Sequence, residues 1–213
     1  MIGVLDLQGG VVEHLDHLER LGIPARRVKK AAELAGLAGL ILPGGESTCL
    51  SRLLRLSDMG NAIGRAAAEG VKLWGTCAGA ILLARTIDGE TAHLGLIDIT
   101  IARNAFGSQL DSFTCEVTVP EVAAEPLPLV FIRAPVIRRV GKEVRVLLRV
   151  RRHIAAAESA GVLVTIFHPE LSPTLAFHAY FVRKCGLKPA ADTAPARATE
   201  WRLTSWTRLA RIP

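Results

Sequence analysis

The sequence predicts an α/β fold: a mostly parallel, doubly wound sheet with flanking antiparallel strands. Three observations predict it. Between Ile2 and Arg85, short apolar runs alternate with segments of helical period. Two glycine-rich turns, PGGES (43–47) and GTCAG (75–79), each close an apolar run and open a helical one. From about residue 96 the pattern shifts to successive strand-like runs with little room for helices. Strand–helix alternation is the mark of βαβ units. Sheets built from them hold ligands at the carboxyl ends of their strands, where both glycine-rich turns lie.

The elements follow in order. IGVLDL (2–7) reads as a first strand, and Val11, Val12, Leu15, Leu18 and Leu21 recur at helical spacing before Gly22 stops the helix. ARRV (25–28) and GLILPGG (39–45) are further strands. Ser47 or Thr48 is expected to cap the next helix, which carries Leu50, Leu53, Leu54 and Leu56. A helix over about 61–69, a strand at VKLW (71–74) and a helix over about 78–85 complete the alternating part. LIDITIA, FTCEVTV, LVFIRA, EVRVLLRV and HIAAAE then read as antiparallel strands. VLVTIF (162–167) returns to a buried strand, and a last helix is expected over about 172–185.

The chain has 213 residues, half of them hydrophobic, which suffices for one core. Residues 1–186 are read as one domain. Residues 187–213 are read as a linker-like or disordered extension, because KPAADTAPARATE is rich in Ala, Pro and Thr. No apolar stretch approaches the roughly 18 residues of a membrane span. The start lacks a basic region and carries Asp6, unlike a signal peptide. Cys49, Cys77, Cys115 and Cys185 form no C-x-x-C pair, so neither a zinc site nor a disulfide framework is signalled. Together these features lead us to expect a cytoplasmic protein. The net charge of +6 is spread out; in IRRVGKEVRVLLRVRRH (137–153) it alternates with Val and Leu, as on the solvated face of a hairpin. A partner-docking patch or a basic nucleic-acid-binding module is the alternative, and no nucleic acid or membrane partner is expected.

G-x-C-x-G around Cys77 is the thiol form of a nucleophile elbow, in which a sharp strand-to-helix turn lifts the side chain and small neighbours relieve crowding. A helix amino terminus also favours the thiolate. Taken alone, Cys77 could equally be buried filler. A nucleophile needs a base, and His168 ends a buried run just before Pro169 and Glu170. Proline keeps the preceding residue extended, and in extended chain residues i and i+2 share a side. Glu170 is therefore expected to reach His168, giving nucleophile, base and orienting carboxylate. The remaining histidines carry less. His14 and His17 read as a solvated helix face without a third metal ligand; His93, His153 and His178 fall in a loop, the basic hairpin and the last helix. The Ala78 amide and the turn at Gly44–Gly45 are natural oxyanion donors. PGGEST lacks the Gly-Lys-Ser/Thr of a phosphate loop, and LDLQGG is no G-x-G-x-x-G fingerprint, so no cofactor is implied.

The motifs in combination resemble the class I, triad-type glutamine amidotransferases and, more narrowly, the glutaminase subunits of pyridoxal 5′-phosphate synthase. The resemblance is carried by LQGGVVEHL (7–15), GLILPGGEST (39–48), WGTCAGAILLA (74–84), HLGL (93–96), ARNAFGSQLDSF (102–113), VFIRAP (130–135) and FHPEL (167–171), and it covers about residues 1–185. It implies a three-layer fold that hydrolyses L-glutamine to glutamate and ammonia and passes the ammonia to a barrel-shaped synthase subunit. By position it makes Cys77 the nucleophile, His168 the base and acid, and Glu170 its partner. It puts Gly45, Glu46, Ser47, Arg103, Ile132 and Arg133 around the glutamine, with one arginine on the α-carboxylate. Gln8 would sit near the oxyanion site and link activity to docking. Ser108 stands where the family usually has a basic residue, and Gly10 where it usually has alanine; both are expected near surfaces that feel the partner. The shared triad leaves open a glutaminase serving a different synthase.

Overall fold

Ile2–Leu5 (β1), Gly39–Leu42 (β3) and Val162–Thr165 (β12) bury every residue in the computed structural model, which describes residues 1–103 and 112–190. A strand does this only when both faces of its sheet are covered. With Ala25–Val28 (β2) and Lys72–Thr76 (β4) they form a parallel array in the order β2-β1-β3-β4-β12. Beyond β12 the sheet turns antiparallel through His153–Glu158 (β11), Val136–Val140 (β9) and Ile97–Ala102 (β6). It ends on Ala84–Ile87 (β5), which runs parallel to β6. Arg145–Val150 (β10) pairs with β11 off this path, and Phe113–Val119 (β7) with Ala123–Phe131 (β8) makes a separate two-stranded sheet.

Helices cover both faces, as the three-layer expectation requires. On β4, Trp74 and Thr76 point to one side, where Trp74 meets His178 of Ala176–Lys184 (α5) and Thr76 meets His14 of Val11–Arg20 (α1). Gly75 points to the other, against the backbone of Ala78–Leu83 (α4), all six residues of which are buried. Ser47–Leu56 (α2) packs on α4 and on Met59–Ala68 (α3). Among the described residues no helix is long and apolar enough to cross a membrane.

Several expectations need correction. The cap of α2 is neither Ser47 nor Thr48 but Glu46, whose carboxylate accepts from the amides of Thr48 (3.0 Å) and Cys49 (2.7 Å). The helix expected over 78–85 stops at Leu83, because the amides of Leu94 and Leu96 bond the carbonyls of Leu82 and Leu83 and release the chain into β5. The last helix starts at Ala176 rather than near 172: Pro173 keeps Ser172 extended. The basic segment 137–153 is not one hairpin. β9 and β10 each pair with β11 and not with one another. Several of its charges are matched, with Arg138 on Asp88 (2.7 Å) and Arg145 on Glu158 (2.7 Å). Ser108 and most of the extension, 191–213, lie outside the described residues. At the start of the extension, Ala190 donates its amide to the Leu21 carbonyl.

Candidate active site

Four neighbouring strands of the parallel array send their carboxyl ends to one place. Gln8 follows β1, the 43–47 turn follows β3, Cys77 follows β4, and His168 and Glu170 follow β12. Arg103 after β6, and Ile132 and Arg133 after β8, complete the rim. These residues, with Gly45, Glu46, Ser47 and Ala78, line one cavity of about 590 Å³. All the site residues expected from the sequence are thus brought together. The cavity also takes in Gly9, Glu13, Ile81 and Pro135, which the sequence did not single out.

Cys77 is held at φ 47° and ψ −106°, a positive-φ conformation that non-glycine residues rarely adopt. Its amide donates to the Thr165 carbonyl (2.8 Å), tying the turn to β12. The turn requires its glycines: a Cβ on Gly79 would lie 2.0 Å from the Leu42 carbonyl oxygen, and one on Gly75 would lie 2.5 Å from that of Gly79. Gly44 is equally confined, since a Cβ there would meet His168 at 2.6 Å and Cys77 at 3.2 Å. Gly44 therefore sits between His168 and Cys77, and the cysteine is near enough to act on the imidazole.

His168 Nδ1 lies 2.8 Å from Glu170 Oε1. The expected contact exists, but by a different local path: Pro169–Leu171 is a 3-10 turn, not extended chain. Burial works against a charge on His168, yet the Glu170 carboxylate and the Cys77 sulfur outweigh it and hold the imidazole well above its usual range. Burial would raise the Glu170 carboxyl; His168 first, then His14, bring it down to about 2.

At the rim, Arg103 is held by Glu90 (2.7 Å) and Glu46 (3.5 Å). Arg133 is exposed and sits at φ 43°. The Ile132 carbonyl faces the Cys77 sulfur at 4.0 Å. Gln8 accepts from the Glu46 amide at 3.4 Å. Ser47 and Ala78 are buried first residues of α2 and α4. Gly10 lies against the carboxylate, where a Cβ would stand 3.0 Å from Glu170 Oε1.

The reading of His14 and His17 as a solvated face is wrong. Both are buried, with His178, in a cluster beneath Glu170 and beside Trp74. The spacing held the signal: Val11, His14, His17 and Leu18 fall on one buried stripe of α1. Among the described residues no group of His, Cys, Asp and Glu is arranged to hold a metal.

Comparison with known proteins gives concordant matches. Residues 4–187 match the model of the SNO glutamine amidotransferase family. A Syntrophus aciditrophicus protein described as pyridoxal 5′-phosphate synthase subunit PdxT is 61% identical over 211 residues, 98% of this chain and 94% of that one. A Clostridium acetobutylicum protein of the same description is 47% identical over 183 residues, 85% of this chain and 98% of its own. A crystal structure of a glutamine amidotransferase superposes with a TM-score of 0.83 at 42% identity, covering 87% of this chain and 99% of that one.

Proposed function

The chain belongs to the SNO glutamine amidotransferase family, and from that premise we propose that it hydrolyses L-glutamine to L-glutamate and ammonia and delivers the ammonia to a pyridoxal 5′-phosphate synthase subunit. The observation that carries the chemistry is the 2.8 Å pairing of His168 with Glu170 beside a cysteine presented at positive φ on a strand-to-helix turn. The PdxT relatives support the choice of synthase.

In this reading the Cys77 thiolate attacks the side-chain amide carbon of glutamine. Backbone amides near Gly45 and Ala78 receive the negative charge that develops on oxygen. His168, held as an imidazolium by Glu170, gives its proton to the departing nitrogen, and the C–N bond breaks to leave a glutamyl thioester and ammonia. His168 then takes a proton from water, the hydroxide displaces the sulfur, and glutamate leaves. Glu46, Ser47 and Ile132 line the substrate. Arg103 and Arg133 supply the cationic side chains from which the α-carboxylate takes its partner. Gln8, bonded to the Glu46 amide, links the oxyanion turn to the docking face.

Residues 1–186 form the glutaminase domain and 187–213 an extension of it. Four cysteines without a disulfide among them suit the cytoplasm. The test is ammonia and glutamate release from glutamine by the full chain, with and without the barrel subunit. Cys77→Ala should lower release at least about a thousandfold with an unchanged circular dichroism spectrum; substantial turnover by that variant in the complex would remove Cys77 from the mechanism. Failure to co-purify with a pyridoxal phosphate-forming barrel protein would point to another synthase.

A further inference from the structure

Behind the triad lies a second pair of imidazoles that the proposed mechanism does not use. His14 on α1 and His178 on α5 are both fully buried, and His14 Nδ1 lies 2.8 Å from His178 Nε2. The other nitrogen of His14, Nε2, stands 3.5 Å from Glu170 Oε2 and 3.4 Å from Thr76 Oγ1. Each of these contacts leads to a working part of the site. Glu170 spends its other oxygen on His168, and Oε2 is buried with no hydrogen-bond partner among the described residues beyond this approach from His14. Thr76 Oγ1 accepts the amide of Gly44, in the turn that touches both Cys77 and His168.

The protons on this pair follow from what surrounds it. Facing His14 are Glu170 and His168 from the segment after β12, Thr76 and Trp74 from β4, His178 from α5, and His17 from its own helix. Burial keeps His14 neutral, lowering it to about 4, and pushes His178 well below its usual range. Two neutral rings sharing one hydrogen bond have two arrangements. With the proton of His178 on Nδ1, a buried N–H would be left without a partner and the lone pair of His14 Nε2 would face a carboxylate. With it on Nε2, His178 donates to His14 Nδ1, and His14 carries its own proton on Nε2, aimed at Glu170 and Thr76. Only one lone pair, on His178 Nδ1, is then unmatched. The second arrangement turns an N–H rather than a lone pair toward the carboxylate and costs less.

We propose that His14 is a positioning residue of the triad: its Nε2–H, kept on that nitrogen by His178, steadies the free oxygen of Glu170 and the Thr76 hydroxyl together, so that the orienting carboxylate and the Gly44 turn hold one arrangement. His14 touches neither substrate nor sulfur. It acts through Glu170 and Thr76, and the proposal rests on the glutaminase reading.

Two amide substitutions separate this role from packing. In His14→Gln the side-chain NH2 takes the place of Nε2; in His14→Asn it takes the place of Nδ1 and faces His178 instead. Both are assayed as the full chain in complex with its synthase subunit. His14→Gln should stay within about threefold of the parent in kcat. His14→Asn should lose about ten- to a hundredfold, with KM within about threefold, because misplacement of a catalytic group reduces the chemical step and not binding. His14→Leu should match His14→Asn and replaces it if that variant does not fold. His178→Phe, which keeps a ring against Trp74 but no donor, should lower kcat in the same direction by less. Alkylation of Cys77 by iodoacetamide, located by mass spectrometry, should follow the same order. Equal losses in His14→Gln and His14→Asn, or no loss in His14→Asn and His14→Leu, would reduce His14 to packing and overturn the proposal. A parent complex that releases no ammonia from glutamine would instead defeat the glutaminase reading, and this proposal with it.

Discussion

His168 and His14 face opposite oxygens of one carboxylate, at 2.8 and 3.5 Å from Glu170. Both are largely or wholly buried, with side chains 13% and 0% exposed, yet one imidazole is held above its usual range and the other is lowered to about 4. Burial pushes both the same way. His168 has a short bond to the carboxylate and a sulfur beside it, and together these overcome desolvation. His14 has a longer contact with the carboxylate, and the neighbouring imidazoles of His17 and His168 oppose any charge on it. Burial alone would keep both neutral, as it does His14; contact distance and company decide that His168 escapes it and can give a proton while His14 can only hold a partner in place.

The largest test removes the charge that the two histidines share. Glu170→Gln should cut ammonia release by about a hundred- to ten-thousandfold, as loss of the orienting member does in related triads. Histidine titration by NMR should show His168 losing its proton at lower pH than in the parent. An unchanged His168 titration would mean that Glu170 does not hold the charge.

The neutral histidines are sharpened by acid. Around their ordinary value of 6.5 the unfolded chain binds protons that folded His14, His17 and His178 refuse. Their stabilising effect is complete above about pH 6.5 and is lost as pH falls from there toward the value of about 4 held by His14. Glu170, lowered to about 2, adds to the loss only below its ordinary value of 4.5. His168, raised, has the opposite sign: its contribution is present below 6.5 and disappears as pH rises through its folded value. Urea midpoints should therefore fall between pH 7 and pH 5, corresponding to a few kcal/mol. His178→Phe should flatten the slope, and a parent midpoint constant over that range would contradict the neutral cluster.

The smallest effect concerns Thr76, which stands between the two sides. Thr76→Val keeps the shape but leaves the Gly44 amide without its acceptor, and should cost about 1–2 kcal/mol in urea unfolding. Thr76→Ser should retain most of that. Equal midpoints for the two variants would show that the Gly44 amide finds another partner.

Much of the site was legible because its causes are local. Crowding at the turn demands Gly75 and Gly79, and any reader of G-x-C-x-G can infer it. The His168–Glu170 contact was legible as a pair although the backbone between them was misread as extended, because two residues either side of one proline reach each other by either path. The end of α4 was not legible, since it depends on amides at Leu94 and Leu96 that arrive from a distant loop. His14 and His17 were misjudged for another reason. Their spacing matched the buried stripe, but a polar residue there is credible only once its partners are known, and His178 and Ser172 come from the far end of the chain.

The residue order alone was enough for the alternation of strands and helices, the two glycine-rich turns, the place of Cys77 on one of them and the pairing of His168 with Glu170, because each rests on periodicity or on sterics within a few residues. Only the tertiary structure decided that β1, β3, β4 and β12 lie side by side, which brings Gln8, the 43–47 turn, Cys77 and His168 to one edge of the sheet. It alone decided the charge of each histidine, because the field at an imidazole is set by groups that fold in from other elements.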